Sequence, residues 1–146
     1  MIEVRVQAGD FDPGVELDRF GSLGAGGIAS FTGLVRADGD LVAMTLEHYP
    51  AMTERSLRNI ADQAAERWPL SGIVVIHRHG RLVPGDRIVF VATASSHRAA
   101  ALESCAFLID WLKTDAPFWK REEWADGRHR WVEAKVDDDQ ARQRWE

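Results

Sequence analysis

Only two long stretches of this 146-residue chain repeat their apolar residues at helical spacing, and nearly all the rest reads as short strands between turn signals. In the first, Leu57, Ile60, Ala61, Ala64 and Trp68 follow helical spacing, while Arg55, Arg58, Asp62 and Glu66 fall mainly elsewhere. Pro50 suits its first turn, Glu54 lies near the positive end of the helix dipole, and Pro69 marks its end. In the second, Leu102, Cys105, Ala106, Ile109 and Leu112 form the stripe; Ser95 or Ser96 can cap the start, and the helix runs to about Lys113. Parallel strands need long crossovers, and two helices supply few of them. The pattern predicts an α+β fold with a mainly antiparallel sheet and two principal helices.

About seven strands fit around those helices. Ile2, Val4 and Val6 alternate with Glu3, Arg5 and Gln7 as a half-buried opening strand. Asp12-Pro13-Gly14 breaks it, and a short helical piece follows around Val15 to Phe20. Glycines 21, 24, 26 and 27 make the next segment permissive and suited to close approach. Ile28 to Val35 and Leu41 to His48 flank an Asp38-Gly39 turn signal, which reads as a hairpin. Ile73 to Ile76 is a strand, Val83 to Asp86 a turn, and Arg87 to Ala94 the next strand. Phe118 to Trp124 and Arg130 to Lys135 form a last hairpin around Asp126-Gly127, before an acidic tail from Asp137 to Glu146.

Composition narrows the function. With 45% apolar and 28% charged residues at this length, the expectation is a single globular domain spanning 1–146. Eighteen basic against 23 acidic residues give a net charge of −5, which argues against a global grip on nucleic acid or an anionic membrane. Cys105, the one cysteine, excludes an intramolecular disulfide or an all-cysteine zinc site, and its place on the helix stripe reads as packing. No apolar run is long enough to cross a bilayer, and the first residues do not form a signal peptide, so the expected location is cytoplasmic.

Three stretches carry residues suited to chemistry. Ser95-Ser96-His97-Arg98 opens a helix, where free N–H groups, an imidazole and a guanidinium can cradle a phosphate or carboxylate. Lys113 closes that helix and Lys120 lies between Trp119 and Arg121; by spacing alone both read as solvated cations. Arg36 ends a strand where a loop begins. His77 and His79 share a strand face with no third ligand spaced nearby, which makes a metal site a weak reading. Five of six tryptophans fall after residue 110, as a pocket floor or, more commonly, as packing.

In this order the segments resemble the large, catalytic subunit of molybdopterin synthase, the MoaE family, over nearly the whole chain. The resemblance rests on Phe31-Thr32-Gly33, Leu46-Glu47-His48-Tyr49-Pro50 with Met52-Thr53-Glu54, Arg67-Trp68-Pro69-Leu70 and Ile76-His77-Arg78. It continues through Pro84-Gly85-Asp86, Ser96-His97-Arg98, Ala116 to Glu122, and Arg130-Trp131-Val132-Glu133-Ala134. It implies an α/β hammerhead-type fold and a homodimer of large subunits within a heterotetramer. The partner it implies is a small ubiquitin-like sulfur carrier whose C-terminal Gly-Gly thiocarboxylate threads into the large subunit. Sulfur then passes twice to cyclic pyranopterin monophosphate (precursor Z), with no metal or cofactor, because it arrives already activated on the carrier. This chain ends Arg144-Trp145-Glu146, not Gly-Gly, so the resemblance leads one to expect the acceptor subunit and not the sulfur carrier.

The resemblance also implies a site. Lys113 and Lys120 become catalytic, which reverses the reading from spacing alone. Leu34, Val35, Arg36, His97, Arg98, Lys113, Lys120, Arg121 and Glu122 become substrate-binding residues. Arg36, His97 and Arg98 would hold the cyclic phosphate. Lys113 would lie beside the incoming tail and Lys120 beside the substrate. Two positions depart from the family: Leu34 stands where a lysine is frequent, and Lys135 where an arginine is. The main rival is a non-catalytic module that binds a ubiquitin-like tail or phosphate ligand; a phosphate-ester hydrolase using His97 and an RNA-binding module rank lower.

Overall fold

The computed structural model describes residues 1–132, 140 and 143–145. Among them the elements run β1 (Ile2–Gln7), α1 (Pro13–Asp18), β2 (Gly27–Leu34), β3 (Leu41–His48), α2 (Pro50–Arg67), β4 (Leu70–Arg78), β5 (Gly80–Leu82), β6 (Arg87–Ser95), α3 (Arg98–Thr114), β7 (Phe118–Trp124) and β8 (His129–Val132). They build two four-stranded sheets, ordered β1-β4-β6-β2 and β5-β3-β7-β8. The β1–β4 pair is parallel and the other pairings are antiparallel, as the scarcity of crossovers predicts. The α+β class therefore stands, with two sheets where one was expected.

The hairpin expected between 28–35 and 41–48 does not form. β2 pairs with β6, whereas β3 pairs with β5 and β7. The turn itself is present: Gly39 has φ +53° and the Leu41 N–H donates to the Asp38 carbonyl at 3.0 Å. It hands the chain from one sheet to the other, because the two strands bury residues in different cores. Ala29 of β2 packs with Leu57, Val75, Val91 and Leu108 between the first sheet and α2 and α3. Leu41 and Leu46 of β3 pack with Val35 and Leu82 instead. A turn signal specifies a reversal of direction and says nothing of which partner offers the larger apolar face.

The helices hold one surprise. In α2, Thr53, Leu57, Ile60, Ala61 and Ala64 are buried, close to the expected stripe. In α3 the stripe is rotated: Ala100, Ala101, Ser104, Cys105, Phe107, Leu108 and Leu112 are buried, and Leu102 is 59% exposed. Small side chains let α3 lie close over the first sheet, and the buried Thr93 hydroxyl donates to the Ala101 carbonyl at 2.7 Å. The cap also differs, since His97 is the N-cap residue and makes no side-chain cap bond. Ser95 Oγ accepts from the His97 N–H at 3.1 Å and donates to the Pro69 carbonyl at 2.7 Å. The short α1 starts at Pro13, capped by Asp12, and Phe20 beyond it is buried. The last hairpin forms as β7 and β8, with Gly127 at φ +88°. Lys135 and most of the acidic tail lie outside the described residues.

Gly26 supplies the close approach expected of the glycine-rich segment. A Cβ there would lie 2.9 Å from the Ser96 carbonyl oxygen, and the Gly26 N–H donates to the Ser95 carbonyl at 3.0 Å. Because the obstacle is backbone, no rotamer change relieves it. Gly26→Ala is expected to destabilise the fold by about 1–3 kcal/mol, read by urea unfolding; unchanged stability would show that the loop yields.

Candidate active site

Register fixes which residues share an end of the first sheet. His77 of β4 pairs with Val89 and Leu34 of β2 with Arg87, so the ends of β2 and β4 lie beside the start of β6. α3 follows β6 and packs back along β6 and β2, returning its last turn to that same end. Lys113, in that turn, therefore shares an end with Leu34 and Arg36. Its charge also interacts favourably with the carbonyl end of the helix.

His77 marks the centre of this end. It is buried, its Nδ1–H donates to the Arg78 carbonyl at 2.8 Å, and its ring stacks on Phe118 with centroids 3.8 Å apart at 16°. Burial pushes its pKa down from 6.5 to about 3; the positive charges of Lys120 and Lys113 add to the shift, against the opposing hydrogen bond. Both lysines thus act on one ring, and the structure brings together the pair that sequence spacing could not join. Lys120, partly buried, shares a strand face with Phe118 and Glu122 and lies opposite Leu46 and Val132.

Other expected residues divide. Leu34 is 56% exposed and Arg36 is exposed, but Val35 between them is buried with Leu41, Leu46 and Leu82. The Val35 N–H donates to the Asp86 carbonyl and its own carbonyl accepts from the Gly85 N–H, both at 2.9 Å, so Val35 anchors Arg36. Arg121 is on the opposite strand face from Lys120, beside Thr45 and Trp131. Glu122 is buried and accepts from Arg130 Nε at 3.3 Å.

His97 and Arg98 are exposed at the other end of α3. Arg98 and Lys113 are fifteen residues apart on one helix, which at 1.5 Å per residue is about 22 Å. A cleft of about 420 Å³ opens beside Arg98, bordered by Gly26, Ile28, Ser96, Ala101 and Leu102. One chain therefore presents two cationic places, one at each end of α3.

The remaining candidates resolve simply. Burial raises the Cys105 thiol to about 11, as expected of a packing residue. Among the described residues, no group of three or more His, Cys, Asp or Glu side chains is placed to hold a metal ion. The tryptophans divide: Trp68 and Trp145 pack with Phe107, Arg130 lies over Trp124, and Trp119, edge-on to Tyr49, lines a shallow pocket with Trp131. Among the described residues no helix is long and apolar enough to cross a membrane.

Sequence reasoning missed the part His77 plays, weighing it only as a metal ligand. One signal was available for the lysines. The chain holds fifteen arginines and only three lysines, Lys113, Lys120 and Lys135. An ammonium can lose its proton where a guanidinium cannot, so lysines retained in an arginine-rich chain point to proton chemistry.

Fold and site together define a class: a two-sheet α+β protein that carries cationic side chains at both ends of one long helix. A model of the MoaE protein family matches residues 6–115. The molybdopterin synthase catalytic subunit of Brucella melitensis is 49% identical, over 99% of this chain and 91% of its own length. That of Pseudomonas aeruginosa is 50% identical over 98% of each. A solved structure, the molybdopterin biosynthesis MoaE protein from Burkholderia ambifaria, superposes with a TM-score of 0.85 at 48% identity, covering 99% of this chain and 98% of that one. This chain belongs to the MoaE family, as its sequence segments implied.

The buried imidazole has a measurable consequence. Folded His77 refuses a proton that the unfolded chain takes up below about pH 6.5. Its contribution to stability is full above that pH and is lost as pH falls toward 3, at up to about 1.4 kcal/mol per unit. Urea unfolding between pH 7 and 5 is expected to show a shallower pH slope for His77→Phe than for wild type; equal slopes would mean that folded His77 is already charged.

Proposed function

We propose that this chain transfers sulfur from a thiocarboxylated, ubiquitin-like small subunit to cyclic pyranopterin monophosphate, as the catalytic subunit of a cytoplasmic molybdopterin synthase. What supports the site assignment is that the charges of Lys113 and Lys120 both bear on His77, at the end of the first sheet to which α3 returns. A catalytic subunit presupposes a second kind of subunit, and the sulfur it delivers needs no further activation here. In this reading Lys113 orients the incoming thiocarboxylate. Lys120, against Phe118 and Leu46, polarises the pterin oxygen to be displaced or supplies its proton. Arg36, at the same end, meets the phosphate.

His97 and Arg98 cannot reach that substrate from the same chain across about 22 Å. A second copy supplies them. β2 is an edge strand of the first sheet, and Ile28, Phe31 and Leu34 along it are 44%, 39% and 56% exposed. Pairing β2 antiparallel with its copy about a two-fold axis sets the Gly27 end of one against the Leu34 end of the other. The α3 start of one chain then meets the lysine end of its partner. This arrangement gives the homodimer a chemical reason, and it uses an apolar edge that a monomer would expose.

The test is reconstitution with precursor Z and thiocarboxylated small subunit, following molybdopterin by its fluorescent oxidised derivative. Lys113→Ala and Lys120→Ala are expected to lower turnover by roughly a hundredfold or more while the subunits still associate. Near-normal turnover in both variants would contradict the assignment, and association without product in wild type would leave a binding module.

A further inference from the structure

His77 is used by nothing in the mechanism above, yet the charges of both lysines bear on it, and its ring stacks on Phe118, two residues before Lys120 on the same strand face. Its environment is built on three sides. The carbonyl of Arg78 can only accept, so Nδ1 carries the proton of the ring. Phe118 covers one face in a near-parallel stack. His48, whose ring lies 5.4 Å from Phe118 and 4.5 Å from His79, closes the cluster from β3 and is itself tied to Thr53 Oγ1 at 3.1 Å. What remains is Nε2, which can accept but has no proton to give. Lys120 lies two residues beyond Phe118 on the same strand face, about 7 Å along β7. The ammonium groups of this end are the donors such a nitrogen would meet.

We propose that His77 is a positioning residue for the lysine pair: its ring, held by the Arg78 carbonyl and seated on Phe118, presents Nε2 as an acceptor that fixes where the Lys120 ammonium rests. The proposal builds on the assignment of Lys113 and Lys120 to the reaction. A neutral acceptor between two cations does what a carboxylate there would overdo. It holds an ammonium in place without neutralising it. An imidazole suits this task because burial, with two cations nearby, keeps it uncharged well below its ordinary pKa. The same ring joins the sheets, since β4 belongs to the first and β7 to the second, so Lys120 is aimed by the contact that joins them.

The test separates positioning from packing. His77→Phe keeps a ring for the stack on Phe118 and removes both nitrogens; His77→Gln returns an acceptor near the Nε2 position; Val75→Ala, in the core on the same strand, serves as a stability control. With only three lysines in the chain, acylation by an amine-directed reagent can be followed at Lys120 by peptide mass spectrometry across pH. In His77→Phe the labelling midpoint of Lys120 is expected at lower pH than in wild type, because an ammonium that loses its acceptor sheds its proton more readily. Turnover with precursor Z should fall roughly tenfold in kcat with KM changed less than about twofold. His77→Gln should recover part of both, and Val75→Ala should leave the midpoint in place. An unmoved midpoint in His77→Phe, or a kcat loss no greater than that of Val75→Ala, overturns the proposal. If Lys120→Ala itself keeps turnover, the site assignment fails, and the labelling midpoint still reports whether His77 holds that ammonium.

Discussion

The length of α3 is the constraint on which the rest depends. A seventeen-residue helix with a buried face is a rigid rod, and it holds Arg98 and Lys113 at opposite ends of the first sheet. That rod keeps Arg98 and Lys113 apart. The helix start, with its free N–H groups, His97 and Arg98, is suited to an anion. The helix end, with Lys113, delivers a primary amine to the place where β2, β4 and β7 also converge. In the proposed reading, a catalytic apparatus that needs both kinds of group is assembled from two chains across the apolar edge of β2.

The second sheet completes the lysine end. It meets the first through side-chain packing instead of strand pairing, with Phe118 of β7 lying on His77 of β4 and Ile88 of β6 against the cluster of Leu41, Leu46 and Leu82. Alternation along β7 then decides which side chains enter the site. Phe118, Lys120 and Glu122 face one way and Trp119 and Arg121 the other. The stack is thus both one joint between the sheets and the reference point for Lys120. A buried histidine costs stability below its ordinary pKa, and its retention at this joint is easier to understand if its nitrogens also act.

Much of this was legible in the sequence, and the exceptions have physical reasons. α2 was readable because Leu57, Ile60 and Ala64 are apolar at helical spacing and prolines bracket the segment. The β7–β8 hairpin was readable because Asp126-Gly127 admits the positive φ its turn requires. The division into two sheets was not, since the Asp38-Gly39 turn is equally compatible with a hairpin and with a handover between cores. The buried face of α3 was misread because Ala101, Ser104 and Cys105 bury little area each, while the larger Leu102 is exposed. His97 and Arg98 were readable as the start of a helix, where the structure places them. Their distance from Lys113 followed from helix geometry. The role of His77 was hidden, because it depends on a contact between residues 77 and 118 that no local pattern encodes.

The most direct measurement mixes two inactive proteins. Lys120→Ala lacks the amine, Arg98→Ala lacks the anion contact, and each alone should give little molybdopterin in the reconstituted reaction. If the site is shared, random exchange of subunits makes half the dimers mixed, and each of those holds one intact site, so about a quarter of wild-type activity should return. If one chain carried every group that its own substrate touches, the mixture would be no more active than its parts, and the divided site would be wrong.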